Sequence, residues 1–294
     1  MPLANSFSNR RRIALPAKLW RERESVHRAR VAPLAEAFVR RRGKGEKHPV
    51  WDFLFTYYFF SPGKLLTWCP AILDDEAGGA DSEDDADVRT WEWPPLAPRV
   101  IRQAEWIAQL CGNIMGRTPR FVCHGLHEWA MVYRQASDQV RHNAWKLRLT
   151  PEALAAFVDS QAVCCTHYDA YRFFTPEARP LNAHEPRADT RLEMEQGGCL
   201  HTNMDLYKWA ARLWPWIGSD LVADAFEVAA AGRELDMRAS PYDLADLGLA
   251  PVRIETEEGR EEYRRAQQQL AARSEPVRLK LREAALRIAA AGVS

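Results

Sequence analysis

The sequence predicts an all-α protein, a mostly helical body with few or no strands. Apolar residues recur at helical spacing through most segments of the 294-residue chain. The one convincing strand candidate, PVRIET at 251–256, is a single short run that cannot make a sheet alone. Thr150, Pro151 and Glu152 give a strong helix start, a hydroxyl N-cap with proline at the first helical position.

Taken in order, residues 16–42 read as a helix with Leu19, Val26, Val31, Leu34 and Phe38 on its apolar positions, broken or kinked at Pro33. The run HPVWDFLFTYYFFSPGKLLTW reads as a buried core helix up to the turn at Ser61, Pro62 and Gly63. Residues 74–87 are acidic and aperiodic, which predicts a mobile loop. A helix over 98–111 follows, and FVCHGLHEWAMVYR enters another near Gly125. The helix from Pro151 is expected to run through CCTHYDAYRFF as far as Thr175 and Pro176. Residues 177–191 read as loop, 199–244 as two helices, and 257–291 as a charged helical region split near Ser274 to Pro276. Three parts result: a basic N-terminal arm over 1–47, a helical core over 48–260, and C-terminal helices over 261–294.

Composition excludes several classes. Eleven tryptophans and a 47% hydrophobic share exclude a disordered chain. No run approaches the ~18 apolar residues of a membrane span. MPLANSFSNRRR carries no apolar stretch behind its basic residues, so a secretory signal is not expected. The six cysteines form no CxxC pair, and they read as reduced core thiols of a cytoplasmic protein. There is no G-x-S-x-G, Walker A or G-x-G-x-x-G motif, which argues against serine-triad hydrolysis, ATP hydrolysis and nicotinamide redox chemistry.

The formal net charge of zero conceals a segregation. Residues 1–47 hold thirteen Lys and Arg against four Glu, while 73–93 hold nine acids against Arg89 alone. Arg10, Arg11, Arg12, Arg40, Arg41 and Arg42 could hold phosphates; alternatively the run is a solvated amphipathic helix.

Three segments share one style, a histidine near a carboxylate with aromatics around them and a cation one or two turns on. Around Glu128 stand His124, His127, Trp129, Tyr133 and Arg134; around His167 stand Asp169, Tyr171 and Arg172; in the third are His201, Asp205, Tyr207 and Lys208. The next helix carries Glu227, Glu234, Asp236 and Arg238, the first two in largely apolar company, where a carboxylate is costly unless paired or used. A single histidine on an apolar face is more often a hydrogen-bonded core residue, and Glu234 with Arg238 can be a plain i,i+4 pair. Three such clusters in one helical body nonetheless suggest a shared cavity, with His48 and Asp52 as further members. HGLHE fits neither H-E-x-x-H nor H-x-x-E-H, so no metal is favoured.

HPVWDFLFTYY, GLHEWAMVYR, HYDAYRFFTPEARPLN, CLHTNMDLYKWA and ELDMRASPYDL together resemble an actinobacterial-type family commonly labelled 3-methyladenine DNA glycosylase, over about 48–260. The resemblance implies hydrolysis of the N-glycosidic bond of alkylated bases in double-stranded DNA. The Gly-rich hairpin and following Asp of helix-hairpin-helix glycosylases are absent, so no catalytic residue is carried over. Chemistry then points to Glu227 or Glu234 as the charged catalytic group, with Glu128, His201, Asp205 and His167 as further catalytic candidates. Trp129, Tyr133, Arg134, Asp169, Tyr171, Tyr207, Lys208 and Arg238 are candidates for holding the substrate. The alternative is a helical enzyme acting on a small molecule through a divalent metal held by His127, Glu128, His167, His201, Glu227 and Glu234. A third reading, a non-enzymatic interaction protein, accounts for the charged arm alone.

Overall fold

The computed structural model describes residues 12–72, 87–93, 95–136, 140 and 144–291. Arg10, Arg11 and nearly all of the acidic segment 74–87 lie outside the described residues. Among those described, the fold is all-α in character: eleven α-helices, two 3-10 turns and two short strands. No helix among them is long and apolar enough to cross a membrane. Contacts divide the chain into two compact units. Unit 1 comprises residues 1–112, 205–229 and 276–294, and unit 2 comprises 113–204 and 230–275.

In unit 1, β1 (Arg12–Pro16) pairs antiparallel with β2 (Val88–Glu92), Ala14 opposite Thr90. This is the only sheet among the described residues, and it is not where the sequence suggested a strand. The five residues RIALP alternate, burying Ile13 and Leu15 against Trp68, Ile72 and Trp93. The expected strand at 251–256 is irregular instead, because Val252 donates its N–H to the Arg238 carbonyl and no ladder forms.

Helix α1 (Ala17–Gly43) runs on through Pro33 and buries His27, Val31, Ala35 and Phe38. A proline removes one intrahelical hydrogen bond, and tertiary packing of this face offsets that loss. The apolar run 48–68 is not one helix. Asp52 accepts from the His48 N–H at 2.8 Å, Phe59 takes a positive φ of 55°, and Ser61 caps the next turn through the Lys64 N–H. Only α2 (Phe53–Thr56) and α3 (Pro62–Leu66) remain helical. The aromatics of this run nevertheless reach the core, Tyr58 and Phe60 packing on Tyr207, and Tyr207 on Phe226. Helix α4 (Pro98–Met115) completes the front half of the chain.

Unit 2 is built from short helices: α5 (Leu126–Ala130), α6 (Pro151–Asp159), α7 (Tyr168–Tyr171) and α8 (Arg191–Met194). Thr150 caps α6 as expected, accepting from the Ala153 N–H at 3.3 Å. The helix does not run on into 164–174. Val163 bridges to Asn182, whose side chain accepts from the Cys165 N–H at 2.7 Å and donates to the Cys165 carbonyl at 2.9 Å, holding the chain extended. Helices α9 (Leu200–Leu213), α10 (Ser219–Ala239) and α11 (Glu257–Ala290) supply residues to both units. Helix α11 is unbroken at the expected split, and the Ser274 hydroxyl donates to the Leu270 carbonyl one turn back.

Candidate active site

The functional residues of unit 2 begin at a sharp turn. His124 and Gly125 both have positive φ, 48° and 75°. A Cβ on Gly125 would lie 3.3 Å from both Ala239 and the Tyr263 ring, so this position needs glycine twice over. The turn ends the irregular segment carrying Cys123 and starts α5, which places His127 one helical turn beyond Cys123. The Trp129 indole donates to the Ala239 carbonyl at 2.9 Å, tying α5 to the last turn of α10. There Arg233 and Asp236 are three apart and share a face.

At the centre is the fully buried Asp236. One carboxylate oxygen accepts from His127 Nε2 at 2.7 Å, and the other accepts from Arg233 at 2.9 Å with His201 Nε2 at 3.8 Å. Arg233 also reaches Glu128 at 3.3 Å. On its other nitrogen, His127 Nδ1 lies 3.5 Å from Cys123 Sγ. The His127 and His201 rings meet edge to face at 4.4 Å, and His167 stacks on His201 at 5.4 Å. The histidines of all three sequence clusters therefore converge. His167 belongs to an adjoining ion network, with Glu195 at 3.7 Å, while Arg191 bridges Glu195 at 2.9 Å and Asp169 at 2.5 Å.

These contacts separate the protonation of neighbouring groups. Burial works against ionisation of Asp236, but the charges of His127, His201 and Arg233 outweigh it and hold the carboxyl below its usual range. Burial likewise opposes the His127 imidazolium, and Asp236 outweighs it, so the ring stays protonated well above its usual range. Glu128 goes the other way: burial, then the Asp236 charge, push it up to about 7 against Arg233 and His127. Burial would raise the Cys123 thiol, but His127 and the Gly125 and His127 N–H groups hold it below its usual range.

A cavity of about 50 Å³ opens beside this centre, with Cys123, His127, His201, Tyr263 and Gln267 on its wall. Cys164, Cys165 and Cys199 line it too. Burial keeps those thiols protonated, pushing Cys164 up to about 11 and Cys199 up to about 12. One ligand-type atom each from His127, His201 and Asp236 lies within 4.8 Å of the others. That spread would suit a metal, but Asp236 is already hydrogen-bonded by His127 and Arg233, and a cation there would face the guanidinium.

The other sequence candidates lie elsewhere. Glu227, with Asp224, pairs with Arg30 at 2.8 and 2.7 Å in unit 1. Glu234 is half-buried in unit 2. Arg238 bonds the Ala250 carbonyl at 2.8 Å and Glu262 at 3.4 Å rather than Glu234. Asp205 pairs with Lys208 at 3.1 Å, and Tyr207 is buried among aromatics, all in unit 1. Tyr133 donates to Asp159 at 2.5 Å, and Arg134 reaches the same carboxylate at 3.3 Å. Tyr171 packs on Phe174. Arg41 is committed to Asp52 together with the His48 N–H in unit 1, Arg12 reaches Thr90 at 3.5 Å, and Arg40 and Arg42 are exposed at the last turn of α1. Sequence reasoning missed Cys123, Arg233, Tyr263 and Gln267 as site residues. The four-residue spacing of Cys123 and His127 was the available signal.

No family model, curated protein or solved structure matches the chain.

Proposed function

We propose that the protein is a hydrolase centred on Glu128, Asp236 and His127, cleaving the N-glycosidic bond of alkylated bases in double-stranded DNA. The observation that carries this reading is a pair of buried carboxyls bridged by one guanidinium, Arg233 lying 3.3 Å from Glu128 and 2.9 Å from Asp236, with burial pushing Glu128 up to about 7 while His127, His201 and Arg233 hold Asp236 ionised. Such a division assigns an acid–base group and a permanent anion, which loss of a cationic base from a sugar requires. The role given on sequence grounds to Glu227 or Glu234 passes to Glu128, which adjoins His127 and Asp236, whereas Glu227 pairs with Arg30 in unit 1. Resemblance to the glycosylase-labelled family supplies the bond and the substrate. Arg40 and Arg42 are exposed cations suited to phosphate contact. Six free cysteines support a reducing compartment, the cytoplasm.

The test is release of methylated base from alkylated duplex DNA at enzyme excess, with chelator present. Glu128→Gln should cut release by about 100-fold or more, and Glu227→Gln should leave it within about twofold. No release by the wild-type protein, or full release by Glu128→Gln, overturns the reading.

A further inference from the structure

The base-excision reading leaves two features of the cavity unused: the Cys123 thiol beside His127, and two buried polar atoms that have no hydrogen-bond partner among the described residues. Cys123 Sγ, His127 and Asp236 form one chain, sulfur to Nδ1 at 3.5 Å and Nε2 to carboxylate at 2.7 Å. The two ring nitrogens thus have separate duties. The carboxylate holds one N–H and fixes the ring, which aims the other nitrogen at the sulfur. The second observation is independent of the first. Tyr263 and Gln267 both line the cavity, and both residues are buried to 1% exposure or less. Among the described residues, neither the Tyr263 hydroxyl nor Gln267 Oε1 has a hydrogen-bond partner. Tyr263 is held against the Gly125 turn, two residues from Cys123. Gln267 is fixed by donating its amide to the Gly198 carbonyl at 2.6 Å, which leaves its oxygen as an acceptor. An orphaned donor and an orphaned acceptor beside a nucleophile describe a polar ligand, because a buried polar atom left unmade is costly.

We propose that Cys123 is a catalytic nucleophile for acyl transfer from small esters or thioesters that carry an N–H or O–H near the carbonyl. His127 is its acid–base partner, Asp236 the positioning residue, and the Tyr263 hydroxyl the donor to the carbonyl oxygen. The Cys123 thiolate attacks the carbonyl carbon, and a carbon–sulfur bond forms as negative charge moves onto the oxygen facing Tyr263. Collapse expels the alkoxide or thiolate, which takes the proton from the His127 imidazolium. Water then attacks the acyl–sulfur bond, His127 removes its proton, and the acid leaves with the thiol restored. The Gln267 oxygen accepts the substrate's N–H or O–H. A cavity of about 50 Å³ admits only the reacting head; a dry cavity of roughly 150 Å³ is what takes benzene. The position of His127 also accounts for the low thiol range of Cys123 against the raised ranges of the other wall cysteines.

The test uses the full chain and two probes. With iodoacetamide at neutral pH, peptide mapping should show Cys123 alkylated at least about tenfold faster than Cys164 and Cys199, which are similarly half-buried. With p-nitrophenyl acetate, nitrophenol should appear in a burst and an acetyl group should map to Cys123. Tyr263→Phe should slow acyl transfer about tenfold or more while leaving alkylation within about twofold. His127→Gln should slow both. Equal alkylation of the three thiols in the folded wild-type protein overturns the proposal, whether or not the variants fold. So does acetylation elsewhere, or acyl transfer indifferent to Tyr263→Phe. These readouts do not depend on DNA, so failed base excision leaves them standing.

Discussion

Asp236 is the residue on which the site turns, because His127, His201 and Arg233 all meet this single fully buried carboxylate. Removing one partner of a buried ion network leaves the others uncompensated. Asp236→Asn should therefore lower unfolding stability by about 3–5 kcal/mol in urea titrations. The pH dependence follows from the two shifts. Asp236 has a folded pKa below its unfolded value, so its contribution is present above the ordinary carboxylate range and lost as pH falls through the folded value. His127 has a folded pKa above 6.5, so its contribution is full below 6.5 and lost as pH rises through the folded value. The deficit of Asp236→Asn should thus be greatest from about pH 5 to neutrality and shrink on the alkaline side. Glu128 behaves in the opposite sense. Its carboxyl is easier to protonate in the fold than outside it, so native stability falls as pH rises from 4.5 to about 7. Glu128→Gln escapes that loss and should gain about 1–3 kcal/mol on the wild type between pH 4.5 and pH 8. A flat difference across that range would contradict the assigned environment of Glu128.

At the scale of elements, α10 has to approach its neighbour closely. A Cβ on Gly232 would lie 2.5 Å from Met204 Cγ, so the Met204 side chain of α9 packs directly on the α10 backbone there. Gly232→Ala should destabilise unit 2 by about 1–3 kcal/mol, despite the gain in helix propensity, as thermal melts would show. Helix propensity and caps made the long elements legible: 199–244 is two helices, and Thr150 does start α6. What the sequence did not reveal was settled by side chains reaching across the chain. Asn182 holds Cys165 extended where apolar periodicity reads as helix, and Asp52 with Ser61 cuts the aromatic run at 48–68 into turns. The strands escaped notice because RIALP is only five residues and pairs with β2, whose partners lie 72 to 80 positions away in sequence. Of the site, the three histidine clusters were visible as clusters. Tyr263 and Gln267 were not, since they lie on a charged helix with nothing local to mark them.

For the whole molecule, balanced charge has a solution consequence. With 40 basic and 40 acidic residues and a sequence pI near 7.1, mutual repulsion between molecules is weakest around neutral pH. Light scattering should show net attraction greatest near pH 7, declining by pH 8.5. If attraction rises steadily away from the pI, surface segregation of charge rather than net charge governs association. The hydrogen bond between His127 and Asp236 spans 109 positions. During synthesis, therefore, the nascent chain displays Cys123 and His127 long before the carboxylate that aims them is made. A chain halted short of α10 carries an ordinary thiol, and reactivity arrives only with long-range closure, a slow class of contact to form. Maturation of the nucleophile is in this way timed by the synthesis of α10, which spares the growing polypeptide a reactive sulfur until then.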